Sequence, residues 1–358
     1  MSGYYVRLPK LTDLTEHQRI ALDEPNAIFI SGLAGTGKSV CLMYRYINRL
    51  KSNNGFSPPP PFAYNTYTKT LKEYTKSVVA GENLNTNEIH CAISFCDKNK
   101  QNYKEIIVDE AQDLEINLLT AIKNKAESLS VGADFAQQIY KNRTQKSELE
   151  NLLSSNSQYE FEKVFRNTFS ILNFIVKNWH KTLYTPEELE SLKQRNKIGK
   201  KPTLCIGADL ILDIIKKYNN STTHNIAILC YNKENIKKYH QLLQTNNIQH
   251  TYYRSYADIS EAIQVQLSSL HITTFHSAKG LEFDTVIIPD FENYKKYFTD
   301  FNKDEREERK ALYVAITRAR HNLYLVANSE IDFLKDSSTY EILTRQNPII
   351  DIDDEIPF

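Results

Sequence analysis

The sequence has little that would mark a secreted, membrane-inserted or globally basic protein. Lysine plus arginine equal aspartate plus glutamate, at 44 each in 358 residues, so no overall positive field exists and a site for nucleic acid would have to be a local patch. The five cysteines show neither CxxC nor paired spacing, which gives no support to a zinc site or a disulfide framework. The N-terminal residues lack the apolar core of a signal peptide, and no run approaches the length of a membrane span. We therefore expect a protein of the reducing cytoplasm with no membrane partner.

The order of apolar segments predicts the fold class. A chain of 358 residues exceeds what one hydrophobic core usually supports, which predicts two domains. Short apolar strands alternate with helical stretches, first in AIFI, EIIVDE and LSVGAD. A second set of strands is predicted after about residue 150, in YEFEKVF, TLCIG, NIAILC, LHITTF, TVIIPD and NLYLVA. This alternation is typical of parallel sheets, so the simplest prediction is an α/β fold of two units in tandem.

The stretch GLAGTGKS fits the pattern G-x-x-x-x-G-K-[ST] of a phosphate-binding loop, with an apolar strand before it and an amphipathic helix after it. Backbone N–H groups of such a loop and the N-terminal end of the next helix hold phosphate oxygens. We expect Lys38 to reach the β- and γ-phosphates and Ser39 to bind Mg²⁺. The residues assigned to the nucleotide are Gly32, Gly35, Thr36, Gly37, Lys38 and Ser39. A chance glycine turn is the alternative, and the flanking strand and helix argue against it.

The segment VDEAQD supplies the second half of this chemistry, because it follows the apolar strand EIIV. An acidic side chain at the end of such a strand can hold Mg²⁺ while its neighbour activates the attacking water. We assign Asp109 to the metal and Glu110 to the general base. The alternative, a solvated acidic helix start, would explain one carboxylate but not the whole set.

Four segments, GLAGTGKS, VDEAQD, TTFHSAKGLEFDTVIIP and ERKALYVAITRARHNLYL, occur in this order. Together they resemble the motifs of UvrD/Rep-type superfamily 1 DNA helicases, over residues 15–326. The resemblance implies two tandem RecA-like P-loop NTPase domains with parallel sheets, which bind ATP and Mg²⁺ between them and move along single-stranded DNA, usually 3′ to 5′. We accordingly predict one domain over residues 1–145, a second over 146–345 and an acidic, disordered tail over 346–358.

The resemblance also assigns roles to single residues. Gln18, in LTEHQRIAL, is implied to pair with adenine, and Gln137, in DFAQQIY, to sense the γ-phosphate. Gly280 and Glu282, in SAKGLEF, are implied to lie near the ribose and the phosphates.

Three arginines, Arg143, Arg166 and Arg318, resemble those that reach the γ-phosphate in the family. A fixed guanidinium stabilises the charge that develops on the transferred phosphoryl group. Because Arg166 and Arg318 are predicted to lie in the second domain, hydrolysis would require the domains to close. A surface ion pair is the alternative for any one of the three.

The spacing of the motifs departs from duplex-unwinding relatives, which carry large insertions in each core domain. We expect accessory domains to be reduced or absent.

The predicted DNA track is also altered, since Asn142 stands where many relatives have a stacking ring. Four residues are predicted to contact DNA, and they are Tyr64, Asn65, Thr274 and His276. The first two belong to AYNTYTKTLKEYTK, which interleaves rings and cations as a single-strand platform does; an amphipathic surface helix is the alternative. A lone histidine such as His276 is more often structural.

The sequence ends in PIIDIDDEIPF, which reads as an exposed acidic tail. It resembles the acidic tip of bacterial single-stranded DNA-binding proteins, which docks its last phenylalanine in partner proteins. The residues predicted to bind such a partner are Asp353, Asp354, Glu355, Ile356, Pro357 and Phe358. Folding back over a basic DNA track is a second possible use, and a chance match that only adds solubility is the alternative.

The leading functional prediction is an ATP-dependent translocase or helicase on single-stranded DNA, acting in DNA repair, replication or antiphage defence. The alternative is a nucleotide-dependent switch that controls a nuclease or repair partner without processive unwinding. A P-loop kinase or GTPase would not explain TTFHSAKGLEF and YVAITRAR.

Overall fold

A computed structural model describes residues 4, 8–52, 61–98, 102–138, 143–179, 183–252, 268–297 and 307–345. All strands in these ranges belong to one of two parallel sheets, with six and seven strands. Within the same ranges, no helix combines the length and the apolar character that crossing a bilayer requires. The predicted α/β fold with two parallel sheets is therefore confirmed.

The first sheet has the strand order β3-β2-β4-β5-β1-β6, with every pair parallel. Its strands are β1 (Ile28–Gly32), β2 (Phe62–Thr66), β3 (Ile89–Cys91), β4 (Tyr103–Val108), β5 (Ala126–Ala133) and β6 (Ser157–Phe161). The helices of this part of the chain are α1 (Glu16–Asp23), α2 (Lys38–Ser52), α3 (Lys69–Gly81), α4 (Ala92–Lys98), α5 (Ile116–Lys123) and α6 (Lys146–Leu152). The central strands are apolar on both faces because helices cover both.

The second sheet has the order β13-β7-β12-β11-β8-β10-β9, again with parallel pairs. Its strands are β7 (Thr203–Ile206), β8 (Ile226–Cys230), β9 (Thr251–Tyr252), β10 (Leu270–Thr274), β11 (Phe283–Ile288), β12 (Ala319–Ala327) and β13 (Glu341–Thr344). The helices are α7 (Phe169–Asn178), α8 (Pro186–Arg195), α9 (Leu210–Tyr218), α10 (Lys233–Thr245) and α11 (Glu307–Ile316).

One strand differs from its predicted place. The segment YEFEKVF was predicted to open the second set of strands, but Ser157–Phe161 pairs with β1 in the first sheet, with Tyr159 opposite Ile30. Local composition predicts that a segment forms a strand, but long-range packing determines which strand it pairs with. Here Phe161 packs in the same core cluster as the apolar residues of β1. Sheet membership thus changes between Phe161 and Thr203. The domain limits 1–145 and 146–345 stay a prediction.

The two sheets share one apolar core. Leu71 and Tyr74 of α3 belong to the same buried cluster as Leu281 and Phe283 of the second unit. Tyr4 joins them further, because its ring meets Tyr74 and Phe283 edge to face at 5.9 and 5.8 Å. This packing aligns the carboxyl end of β1 with the segment before β11, and a cavity forms between them.

Candidate nucleotide site between the two sheets

The phosphate-binding loop connects β1 to α2, and its conformation requires glycine. Gly35 and Gly37 have φ of 75° and 88°, a region that side chains rarely adopt. A Cβ on Gly37 would lie 2.3 Å from Nε2 of Gln18, and one on Gly35 would lie 2.6 Å from Cβ of Arg166. The tight loop therefore has neighbours that admit no larger residue.

Lys38 is held inside this loop. Its Nζ donates to the carbonyl oxygens of Gly32 and Leu33, each at 2.8 Å, and lies 3.7 Å from a carboxylate oxygen of Asp134. The ammonium group is thereby fixed at the loop, where the phosphates of a nucleotide would bind.

The adjacent carboxylates of VDEAQD, Asp109 and Glu110, follow β4. The backbone N–H of Glu110 donates to Oδ1 of Asp109 at 2.9 Å, and Glu110 itself has φ of 59°. This left-handed conformation is uncommon for a residue other than glycine. It occurs at the end of a central strand, as the sequence predicts.

Asp109 has the character of a metal ligand. Burial, together with the charge of Glu110, raises the pKa of Asp109 to about 6, and a hydrogen bond from the Ser39 side chain acts in the opposite sense. A hydroxyl and a buried carboxylate form an oxygen donor set that suits Mg²⁺, which keeps most of its water ligands. Ser39 and Asp109 thus fit the predicted Mg²⁺ site.

Glu110 has a different environment. Burial raises the pKa of Glu110, but Lys279, Lys38 and Arg318 outweigh that effect and lower it below the ordinary value. The Gln112 amide also donates to its Oε2 at 2.5 Å. An ionised carboxylate in this position can accept a proton from water at neutral pH.

A cavity of about 540 Å³ lies between the sheets and contains residues from both. The predicted residues that line it are Gln18, Gly35, Gly37, Lys38, Ser39, Glu110, Gln137, Arg166, Gly280, Glu282 and Arg318. Asp109 is buried next to this set, through its contact with Ser39. The site predicted from separate motifs is thus one continuous cavity.

Arg318 and Arg166 are held differently. Arg318 is buried and donates to the carbonyl oxygens of Val314 and Leu281 at 3.0 and 3.3 Å. Burial, with the nearby charge of Arg166, lowers the pKa of Arg318 to about 9. Arg166 donates from Nε to Oε2 of Glu282 at 3.0 Å. Arg166 lies between β6 of the first sheet and α7, and its predicted place in the second domain stays a prediction.

The side-chain amide of Gln18 is hydrogen-bonded within the protein through both its oxygen and its nitrogen. Its Oε1 accepts from the backbone N–H of Thr15, and its Nε2 donates to the carbonyl of Thr36 at 2.9 Å. The amide therefore ties the start of α1 to the phosphate-binding loop. Its predicted role with adenine stays a prediction.

Some predicted residues lie elsewhere. Arg143 donates from Nη1 to Oε1 of Glu115 at 2.6 Å and does not line the cavity. Tyr64 and Asn65 are fully buried in β2, with the Tyr64 ring against Tyr46, so the structure does not place them where DNA could contact them. Central strands bury both faces, which the ring-and-cation pattern did not reveal.

The other predicted DNA contacts lie after β10. Thr274 donates to Oγ of Ser277 at 3.0 Å and is buried, whereas His276 is partly exposed. Their contact with DNA stays a prediction. Asn142 and the tail over 346–358 lie outside the described residues.

Sequence reasoning missed three residues at the site. Arg320 and Phe165 line the cavity, and the Phe165 ring is 45% exposed. Lys279 is buried and donates to the carbonyl of Gln137 at 2.6 Å. Each stands within two positions of a residue that the motifs did identify, and that proximity was the available signal.

This chain belongs to the UvrD-like helicase family, because the family model of the UvrD-like helicase C-terminal domain matches residues 82–330. The resemblance stated from the motifs is thereby confirmed at the level of the family.

Individual relatives match over shorter lengths. The chain is 39% identical over 100 residues to the RecBCD enzyme subunit RecB of Chlamydia pneumoniae, covering 28% of this chain and 9% of that protein. It is 27% identical over 244 residues to a putative ATP-dependent DNA helicase of Acanthamoeba polyphaga mimivirus, covering 62% of this chain and 34% of that protein. The chain thus spans about a third or less of the length of these relatives.

Among solved structures, Bacteroides Pif1 bound to single-stranded DNA is similar over 89% of this chain and 93% of that chain, with 13% identity and a TM-score of 0.46.

Proposed function

We propose that this chain is an ATP-dependent motor of the UvrD type that translocates on single-stranded DNA, with 3′ to 5′ polarity. One observation carries the proposal. A single cavity contains Lys38 and Glu110 from the first unit and Arg318 from the second. A nucleotide in it would touch both units, so its binding and hydrolysis would change how they pack.

Each residue of the cavity is proposed to have a separate role in ATP hydrolysis. Lys38 would neutralise the β- and γ-phosphates, and Ser39 and Asp109 would hold Mg²⁺, which supplies further charge neutralisation. Glu110, ionised at neutral pH, would orient the attacking water and accept its proton. Arg318 and Arg166 would stabilise the charge on the transferred phosphoryl group, and Gln137 would sense the terminal phosphate.

The turn after β10 is the proposed route to DNA. Thr274 and His276 are proposed contacts for the strand, and the same turn continues to Lys279, whose ammonium reaches the carbonyl of Gln137. A strand bound at this turn would thereby be connected to the nucleotide cavity.

A nucleotide-dependent switch that controls a nuclease or repair partner is the second proposal. The buried Lys279 supports it, because its Nζ lies 2.6 Å from Oδ2 of Asp113 and links the two units through an ion pair. Directional movement of a labelled oligonucleotide substrate separates the two, since a switch would hydrolyse ATP without translocation.

The acidic tail over 346–358 is proposed to bind proteins that recognise the tip of single-stranded DNA-binding proteins. The pathway is proposed to be DNA repair, replication or antiphage defence in the cytoplasm.

The test of the proposed function is ATP turnover with and without a single-stranded oligonucleotide. We expect turnover that the oligonucleotide stimulates, and its loss in Glu110→Gln. Glu150→Gln is the matched control, because Glu150 lies on the surface of α6. Turnover by Glu110→Gln equal to that of the control would contradict the assignment of the base.

A further inference from the structure

The carboxylate of Glu282 is shared between two arginines. Its Oε2 accepts from Nε of Arg166 at 3.0 Å, and its Oε1 accepts from Nη1 of Arg320 at 3.1 Å. All three side chains line the nucleotide cavity. Burial raises the pKa of Glu282, but Arg166, Arg320 and Arg318 outweigh that effect and lower it.

The two arginines belong to different parts of the fold. Arg320 lies on β12 and Glu282 directly precedes β11, and these neighbouring strands are in register where Phe283 faces Ala319. Their ion pair is therefore internal to the second unit. It would persist through any movement of one unit against the other.

Arg166 lies where the chain passes from the first unit to the second. Phe165 donates its backbone N–H to the carbonyl of Gly35 at 2.7 Å, and Cβ of Arg166 lies against Gly35 itself. On the other side, the Asn167 amide donates to the carbonyl oxygens of Thr317 and Ala319 at 3.1 and 2.7 Å. The backbone of Arg166 is thus next to the phosphate-binding loop, while its guanidinium is paired with Glu282 of the second unit.

A nucleotide would compete with Glu282 for Arg166. The terminal phosphate carries more negative charge than the carboxylate and so would attract Arg166 more strongly. If Glu282 had no other partner, the movement of Arg166 to the phosphate would leave the carboxylate of Glu282 unpaired. Glu282 is 23% exposed, and leaving a largely buried carboxylate without a partner is costly. Arg320 removes this cost, because it remains bound to Glu282 after Arg166 has left.

We propose that Arg320 is a positioning residue that keeps Glu282 paired and so allows Arg166 to exchange the carboxylate for the terminal phosphate of the nucleotide. The inference rests on the proposed ATP hydrolysis and adds to it a residue that acts through Glu282. Arg320 itself need not touch the phosphate.

The test is the kcat for ATP in Arg320→Gln, with kcat and KM measured separately. Without Arg320, Glu282 has Arg166 as its remaining arginine partner and retains it, so we expect kcat to fall about tenfold while KM changes less than about threefold. Arg320→Lys keeps the charge and should retain most of the activity. Arg345→Gln is the control, because it removes an exposed arginine that pairs with Asp209 on the same unit.

The decisive variant is the double substitution Arg320→Gln with Glu282→Gln. Neutralising the carboxylate releases Arg166, so the double variant should be more active than Arg320→Gln alone. A double variant as slow as Arg320→Gln, or an Arg320→Gln kcat equal to that of Arg345→Gln, would overturn the inference while leaving the proposed function intact. Absence of turnover in the unsubstituted protein would overturn both.

Discussion

The ammonium of Lys279 lies 2.6 Å from Oδ2 of Asp113, and this buried contact joins the turn after β10 to the segment after β4. Lys279 is 1% exposed and its Nζ is also 3.7 Å from Oε2 of Glu110. One side chain of the second unit thus offsets negative charge on two carboxylates that follow β4 in the first.

Replacing Lys279 with Met should destabilise the protein, because Asp113 would be left buried beside Glu110 without its closest cation. We expect a loss of about 3–5 kcal/mol in the free energy of unfolding, measured with urea. Adding Asp113→Asn should recover part of it. Lys295→Met is the control, since its pair with Asp332 is exposed and its loss should leave stability nearly unchanged. Equal stability of the two lysine variants would refute the role of the buried pair.

Adding one methyl group to the phosphate-binding loop should weaken ATP binding. Gly37→Ala would place a Cβ 2.3 Å from the Gln18 amide at a φ of 88°, which costs about 1–3 kcal/mol and should weaken ATP binding about tenfold or more. Gly81→Ala is the control, because a Cβ there meets nothing within 4 Å. Binding of a fluorescent ATP analogue measures the difference, and equal affinities would be evidence against this loop as the phosphate site.

Acid should destabilise the second sheet through His271. Burial lowers the pKa of His271 on β10 from 6.5 to about 4, so between these values the unfolded chain binds a proton that the folded chain does not. Stability should therefore fall as the pH drops from about 6.5 to about 4, by about 3 kcal/mol at most.

Urea unfolding at pH 7.5 and pH 5 tests this dependence on His271. His271→Asn keeps a polar atom near Oγ1 of Thr251, which lies 2.8 Å from Nδ1 of His271, and should reduce the loss between the two pH values. His17→Gln, at an exposed position, should behave like the unsubstituted protein. A loss that is the same in all three proteins would place the titrating group elsewhere.

The local motifs were sufficient to predict most of the residues that meet in the cavity. A phosphate-binding loop and a strand-terminal acidic pair each depend on neighbours within a few residues, so Lys38 and Glu110 could be assigned from the sequence. Pairing between distant segments could not be assigned in this way. The sequence of β6 does not predict that this strand pairs with β1. The aromatic residues around Tyr64 do not predict that β2 lies inside the sheet.

Arg320 and Lys279 illustrate the same limit. Both are charged residues that could have been on the surface. The pairing of β11 with β12 brings Arg320 to Glu282, and the packing of the two units brings Lys279 to Asp113. A charge that pairs with a charge on a distant segment leaves no periodic pattern in the sequence.

Deletion of residues 351–358 tests the proposed role of the tail. We expect weaker capture of proteins that bind the tip of single-stranded DNA-binding protein, or a changed affinity for single-stranded DNA if the tail covers the DNA track. Phe358→Ala is the narrower variant. Unchanged partner binding and unchanged DNA affinity in the deletion would remove the proposal.

Arg318→Ala shows whether one nucleotide is contacted by both units. This arginine comes from the second unit, whereas the phosphate-binding loop belongs to the first. The measurement is kcat for ATP at saturating single-stranded DNA, with nucleotide affinity measured in parallel. We expect kcat to fall about a thousandfold or more while the affinity for the nucleotide changes little. Turnover close to that of the unsubstituted protein would contradict it.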